Sequence, residues 1–211
     1  MHLLSALMIG LAANLDNFGI GISYGIQKIR IPFLSNFFIA LLSGVIVALS
    51  VSAGYFLSHF VGVANLAGAF LIIAIGMWVA IHKSSSEPAA VPVTVTLKKT
   101  YLVSLKPLHC VVQIIKNPSL ADIDANGFIS AKESMALGLT LSLNCIATGV
   151  GAGLTGMSPL SVALFVFFFS MVTISAGYWT GWRTASNRLE RWAQGVSGVL
   201  LIVIGIYEIF N

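Results

Sequence analysis

The chain has 211 residues, of which 57% are apolar and only 9% are charged. Soluble domains typically have about 25% charged residues, so this composition excludes an ordinary soluble protein and indicates an integral membrane protein. The formal net charge of +4 does not indicate a nucleic-acid partner, because the basic residues are spread over the loops between apolar segments. We therefore expect an all-α protein that lies in the lipid bilayer.

Six apolar segments are long enough to cross a bilayer as helices, which takes about 20 residues. All eleven Lys and Arg residues follow the first, third and fifth segments, so the positive-inside rule makes these loops cytoplasmic. We predict a multi-pass plasma-membrane protein with both termini outside and residues 82–133 inside. Glu208, one turn from the outer end of the sixth segment, is expected to reach water. The predicted spans are about 3–26, 33–57, 60–81, 134–154, 159–179 and 192–210.

The first three segments resemble the last three in the same order. IGLAANLDNFGIGISYGI aligns without gaps on LGLTLSLNCIATGVGAGL, 128 residues later, which pairs Asp16 with Asn144. The second and fifth segments share SAGY, and GAFLIIAIGMW aligns on SGVLLIVIGIY. Because three is an odd number of spans, the second copy would be inverted, as in secondary transporters with ion sites near the midplane. This predicts two inverted three-helix repeats, residues 1–81 and 134–211.

Asp16 is the only charged residue in the first segment. A carboxylate at that depth costs about 2.5–3.5 kcal/mol on insertion scales, so we expect it to bind a cation, carry a proton, or both. In an ideal helix Asn17 projects near the face of Asp16, and Asn14 projects well away from it. Asn144 and Ser142 offer further oxygens, and an all-oxygen set suits hard cations such as Mn²⁺. Most hydroxyls of spans two and five are expected only to bond their own backbone.

The LDNFGIGISYG segment, its partner in span four and the six spans resemble the MntP family of manganese efflux pumps, and more closely that family's sporulation-associated YtaF branch. The resemblance covers nearly the whole chain. It implies a metal-cation transporter, exporting Mn²⁺, rather than an enzyme, with Asp16 in the cation pathway. The efflux pumps carry an acid in the part of span four where this chain has Asn144. The alternative is a non-transporting sporulation protein on the same fold with a cation-sensing loop, and self-assembly into a homo-oligomer is compatible with either.

The sequence DIDANGFISAKE, residues 122–133, fits the calcium-loop pattern D-x-[DN]-x-[DN]-G-x₅-E at every specified position. Ca²⁺ or Mn²⁺ is the expected occupant. The alternative is that its last four residues are only a capping box that opens span four, after an ordinary turn. The predicted ligands are Asp122, Asp124, Asn126, the carbonyl of Phe128, Ser130 through a water, and Glu133.

Overall fold

The computed structural model describes residues 3–60, 62–81, 122, 124, 126–184 and 187–210. Within these residues the secondary structure is helical, apart from one isolated β-bridge, so the all-α class is confirmed. Most of the 82–133 loop lies outside the described residues. The helices are α1 Leu3–Ala12, α2 Leu15–Gln27, α3 Phe33–Ser58, α4 Ala64–Ile81, α5 Ala131–Leu154, α6 Pro159–Thr184 and α7 Asn187–Phe210.

The helices include several that can cross a membrane. Three stretches are long and apolar enough to do so: Leu3–Gln27, Phe33–Ser58 and Pro159–Arg183. The two halves of α5, Ala131–Leu143 and Cys145–Leu154, are bent by 49° relative to each other and together would make a fourth span. The two remaining predicted spans correspond to shorter apolar helices in α4 and α7. The protein is therefore a helical membrane protein, while the count of six spans stays a prediction.

The first span is not the single helix that the sequence predicts. It consists of α1 and α2, which are separated at Ala13 and Asn14. The segment around these residues, LAANLDN, contains neither Gly nor Pro, so nothing in its local sequence predicts a break. The predicted span over residues 3–26 corresponds to the candidate span Leu3–Gln27, but its helix is interrupted at the centre, immediately before Asp16.

Each half of the chain packs mainly against the other half. The most extensive contacts join α3 to α5, α2 to α6 and α4 to α7, and α3 also packs on α6. Glycines allow the backbones to touch, as small residues do between membrane helices. A Cβ added to Gly21 would lie 3.1 Å from the Cα of Gly177, and one added to Gly153 would lie 2.8 Å from the Cα of Gly54.

Two apolar clusters fill the interior, and buried polar residues lie between them. The first cluster includes Ala12, Val47, Cys145 and Val166. The second includes Tyr24, Ile39, Leu141 and Ile174. On span one, α3, α5 and α6 alike, a buried polar residue falls between members of the two clusters along the helix. We call these residues the polar layer; they are Asn14, Asn17, Ser43, Ser142 and Ser170.

Glu208 does not reach water as the sequence suggested. Its side chain is only 1% exposed. The reason is the packing of α7, which contacts α4, α2 and α1. A residue near the predicted end of a span is therefore covered by the neighbouring helices.

Candidate cation site at the break in span one

The break in span one is held by the side chain of Asn14. Asn14 precedes the first turn of α2, and its amide nitrogen donates to the carbonyl oxygen of Gly10 at 2.7 Å and to that of Val166 at 3.2 Å. The first bond uses a carbonyl at the end of α1, and the second ties the break to α6. In an unbroken helix Asn14 would project well away from Asp16, but Asn14 lies in the interruption between α1 and α2.

Asn17 supplies a buried oxygen beside this break. It is only 2% exposed, and its amide nitrogen donates to Asn14 Oδ1 at 2.8 Å and to Ser170 Oγ at 3.4 Å. Its own Oδ1 has no hydrogen-bond donor among the described residues. A buried acceptor without a donor costs about 1–3 kcal/mol, which a bound cation would offset.

Asp16 lies in the first turn of α2, next to Asn17 in the chain. Its Oδ1 accepts a hydrogen bond from the backbone nitrogen of Asn17 at 2.8 Å. The N-terminal end of a helix carries a partial positive charge that stabilises a carboxylate, and the C-terminal end of α1 presents carbonyl oxygens that favour a cation. The two-residue interruption therefore places both kinds of helix end next to each other within the candidate span Leu3–Gln27.

The middle of α5 reaches the same break. The thiol of Cys145 donates to the carbonyl oxygen of Ala13 at 3.6 Å. Ser142 is fully buried, and its hydroxyl donates to the carbonyl of Leu139 on its own helix at 2.9 Å, so no described contact joins Ser142 to Asp16. The side chain of Asn144 lies outside the described part of the structure, although the bend in α5 is centred on this residue.

The residues around Asp16 offer carboxylate, amide and hydroxyl oxygens, with one carboxylate, and the Cys145 thiol lies beside them. The amide of Asn17 contacts Asn14 and Ser170, which the sequence did not single out as site residues, and the backbone nitrogen of Asn17 bonds the carboxylate of Asp16. Carboxylate, amide and hydroxyl oxygens are ligands of hard cations such as Mn²⁺ and Mg²⁺. Ser170 could not be singled out by sequence because five of the six predicted spans contain hydroxyl side chains. By contrast, Ser50, Ser52 and Thr173 bond their own backbone as expected.

The loop before α5 brings three carboxylates together. Ligand oxygens of Asp122, Asp124 and Glu133 all lie within 4.8 Å of one another. Asp122 accepts from the backbone nitrogens of Asn126 and Gly127 at 3.1 and 3.0 Å, so its oxygens shape the turn. Gly127 has φ +77°, a left-handed conformation that glycine adopts without strain.

The capping box predicted as the alternative is also present. Ser130 Oγ accepts from the backbone nitrogen of Glu133 at 3.4 Å, and Glu133 Oε2 accepts from the backbone nitrogen of Ser130 at 2.8 Å. Ser130 Oγ also donates to the same carboxylate oxygen at 2.7 Å. Because one oxygen of Glu133 serves the cap, the cap and the cluster of carboxylates share this side chain. The capping box by itself does not require Asp122 or Asp124.

The end of this loop is fastened to the turn between α2 and α3. Gly127 O accepts from the backbone nitrogen of Arg30 at 2.9 Å, and Arg30 O accepts from that of Ile129 at 3.0 Å, which forms an isolated parallel bridge. Ser35 Oγ donates to the carbonyl of Ile129 at 2.6 Å. The Ile129 side chain is fully buried in the second apolar cluster together with Tyr24. The loop is therefore anchored to the helix that carries Asp16.

Comparisons with known proteins cover the whole chain. The family described as "Mntp: Putative manganese efflux pump" matches residues 108–209. The "Probable sporulation protein YtaF" of Bacillus subtilis (strain 168) is 32% identical, over 99% of this chain and 100% of that protein. The "Putative manganese efflux pump MntP" of Clostridium perfringens (strain 13 / Type A) is 23% identical, over 98% of this chain and 93% of that protein. No solved structure matches.

These matches confirm the resemblance that the LDNFGIGISYG segment indicated. They agree with the helical membrane fold and with the expectation that the chain is not an enzyme. The match to the sporulation protein extends over both halves and the loop between them. The chain therefore belongs to the MntP-type family of manganese efflux pumps, in the branch of the YtaF sporulation proteins.

Proposed function

We propose that the protein is a secondary transporter that exports a divalent cation, with Mn²⁺ as its substrate, through a site at the break in span one. The observation that carries this proposal is Asn17 Oδ1, a buried oxygen that has no donor among the described residues and adjoins the only carboxylate of the span. Asp16 supplies the charge and Asn17 the neutral oxygen. Asn144 and Ser142 of α5 are proposed as further oxygen ligands, and Ser170 positions Asn17.

The packing of the helices supports an inverted repeat around this site. If the two halves are equivalent, α2 corresponds to α5, α3 to α6 and α4 to α7. The contact between α2 and α6 then corresponds to that between α5 and α3, and the contact between α4 and α7 corresponds to itself. Such an arrangement lets one half rock against the other around a fixed midplane site. With the distribution of Lys and Arg, it gives six spans in the plasma membrane, both termini outside and the 82–133 loop inside.

The loop before α5 is proposed as a separate cation site for Ca²⁺ or Mn²⁺. Support comes from the three carboxylates within 4.8 Å and from the fit of residues 122–133 to the calcium-loop pattern. Asp122, Asp124, Asn126, the Phe128 carbonyl and Glu133 would bind directly and Ser130 through water. This site also supports the second candidate function, a non-transporting sporulation membrane protein whose loop senses a cation.

Flux of Mn²⁺ into proteoliposomes separates the two candidates. The wild type is expected to move Mn²⁺, and Asp16→Asn is expected to lose that flux while the fold is retained, because the substitution removes only a charge. The loop variant Asp122→Ala with Glu133→Gln serves as a control that leaves the midplane unchanged. A folded wild-type protein that moves no divalent cation would exclude transport and favour the sensing function.

A further inference from the structure

A second buried amide oxygen lies beside the second apolar cluster, near the start of α3. Asn36 is in the first turns of α3, one turn before Ile39 of that cluster. It is only 3% exposed, and its Oδ1 has no hydrogen-bond donor among the described residues. None of the roles described above uses this side chain.

Asn36 is held in the same way as Asn17. The amide nitrogen of Asn36 donates to Ser175 Oγ at 2.9 Å and to the carbonyl of Met171 at 3.0 Å. The amide nitrogen of Asn17 donates to Ser170 Oγ, on the same helix. In both residues the nitrogen is fixed to a serine of α6, which leaves the oxygen turned away from that serine as an unused acceptor.

The two amides are fixed to different positions along α6. Ser170 and Ser175 are five residues apart on α6, which corresponds to about 7.5 Å along a helix. Ile174, on the same helix, and Ile39, on α3, belong to the apolar cluster that lies at this depth. The two amides are thus fixed to positions about 7.5 Å apart along α6, and Ile174 of the second apolar cluster lies between these positions in the chain.

We propose that Asn36 Oδ1, whose direction is fixed by the bond of its amide nitrogen to Ser175 Oγ, forms a second cation site that a partly hydrated divalent cation occupies on its way to Asp16. This inference rests on the proposed transport function. The site has no carboxylate, so it binds weakly and releases its ion readily. Neutral oxygens also replace only part of a hydration shell, which suits an ion that still carries water.

Replacing the Asn36 amide by a carboxylate tests the site through Mn²⁺ binding, without a transport measurement. In a background of Asp16→Asn, Asp122→Ala and Glu133→Gln, which removes the other two sites, Asn36→Asp is expected to bind one Mn²⁺ per chain by electron paramagnetic resonance. Thr180→Asp, on α6 where the native hydroxyl bonds Ala176 O, is the matched control and should bind none. Equal binding in the two variants, or none in Asn36→Asp, would overturn the proposal.

A milder variant tests the same residue in transport. Asn36→Leu should raise the KM for Mn²⁺ supplied from the loop side about tenfold, while Mn²⁺ binding at Asp16 at equilibrium stays unchanged. A purely structural role would instead lower the thermal stability and leave KM as it is, and that outcome would contradict the inference. A wild type without flux would refute the proposed function only, because the binding test does not depend on flux.

Discussion

At the scale of single residues, the chemistry of this protein depends on the few buried polar atoms that have no hydrogen-bond partner among the described residues. The amide nitrogen of Asn14 donates to a carbonyl oxygen near the end of α1 and to one of α6. The amide nitrogen of Asn17 likewise donates both of its hydrogen bonds. The oxygen of Asn17 is therefore available next to Asp16. One carboxylate leaves a divalent cation incompletely neutralised, and such a site can release its ion as well as bind it.

Removing the Asn17 amide should weaken both the fold and cation binding. Asn17→Leu leaves Asn14 Oδ1 and Ser170 Oγ without this donor, so we expect it to lower the free energy of unfolding by about 1–3 kcal/mol. In a background of Asp122→Ala with Glu133→Gln, which removes the loop site, any thermal stabilisation by Mn²⁺ should disappear as well. Thermal unfolding of the purified protein with and without Mn²⁺ measures both effects.

The matched control is Thr140→Val. Thr140 is also buried, but its hydroxyl bonds only the carbonyl of Ala136 on its own helix. Thr140→Val should lower the free energy of unfolding less than Asn17→Leu does, and it should keep the full thermal stabilisation by Mn²⁺. If Asn17→Leu kept that response too, Asn17 would not be a ligand.

At the scale of helices, the contacts reveal an inconsistency between two of the sequence alignments. Gly21 lies against Gly177 and the backbone nitrogen of Tyr178, and Gly153 lies against Gly54 and the backbone nitrogen of Tyr55. If the SAGY strings are equivalent, Gly21 corresponds to Gly153, whereas the ungapped alignment of spans one and four pairs it with Gly149. The two alignments differ by four residues, or about one helical turn.

This difference decides where a second carboxylate would complete the midplane site. The ungapped alignment pairs Asp16 with Asn144, and the packing of the glycines pairs it with Thr148, which is buried. Asn144→Asp is expected to strengthen Mn²⁺ binding and to destabilise the ion-free protein, since two like charges would share a site of low dielectric. Thr148→Asp is the competing variant, and calorimetry on both identifies the equivalent position. Unchanged affinity in both would contradict a two-fold site.

The loop gives a prediction at the same scale. Asp122→Ala with Glu133→Gln should abolish the binding of one cation per chain, measured by calorimetry, because it removes two of three clustered carboxylates. Glu133→Gln alone keeps an oxygen that can serve the capping box. Binding that persists in the double variant would leave the capping box as the sole role of these residues.

At the scale of the whole molecule, the sequence predicts the fold class better than it predicts the geometry of the candidate site in span one. Apolar segments and loop charges are properties of composition, so the helices and most of their ends follow from the sequence. The break at Ala13 and Asn14 does not, because it depends on the contact between Asn14 and Val166 of a distant helix. Asp16 could be singled out because an isolated charge in a span is rare, whereas Asn36 and Ser170 resemble the many other polar residues of these helices.

Cysteine labelling tests the orientation of the molecule. With Cys110 and Cys145 replaced, Ser85→Cys should be protected from membrane-impermeant reagents in intact cells, because the 82–133 loop is predicted to be cytoplasmic. Gly62→Cys, at an exposed position between α3 and α4, is the matched site that should be labelled. The reverse pattern would invert the topology and the proposed direction of transport.

The central claim is that one divalent cation binds at the break in span one, and binding of Mn²⁺ tests it most directly. Electron paramagnetic resonance distinguishes bound from free Mn²⁺ in the purified protein whose loop site is removed by Asp122→Ala and Glu133→Gln. We predict one bound Mn²⁺ per chain in this variant, and none once Asp16→Asn is added. Equal binding with and without the Asp16 carboxylate, in folded protein, would contradict the claim.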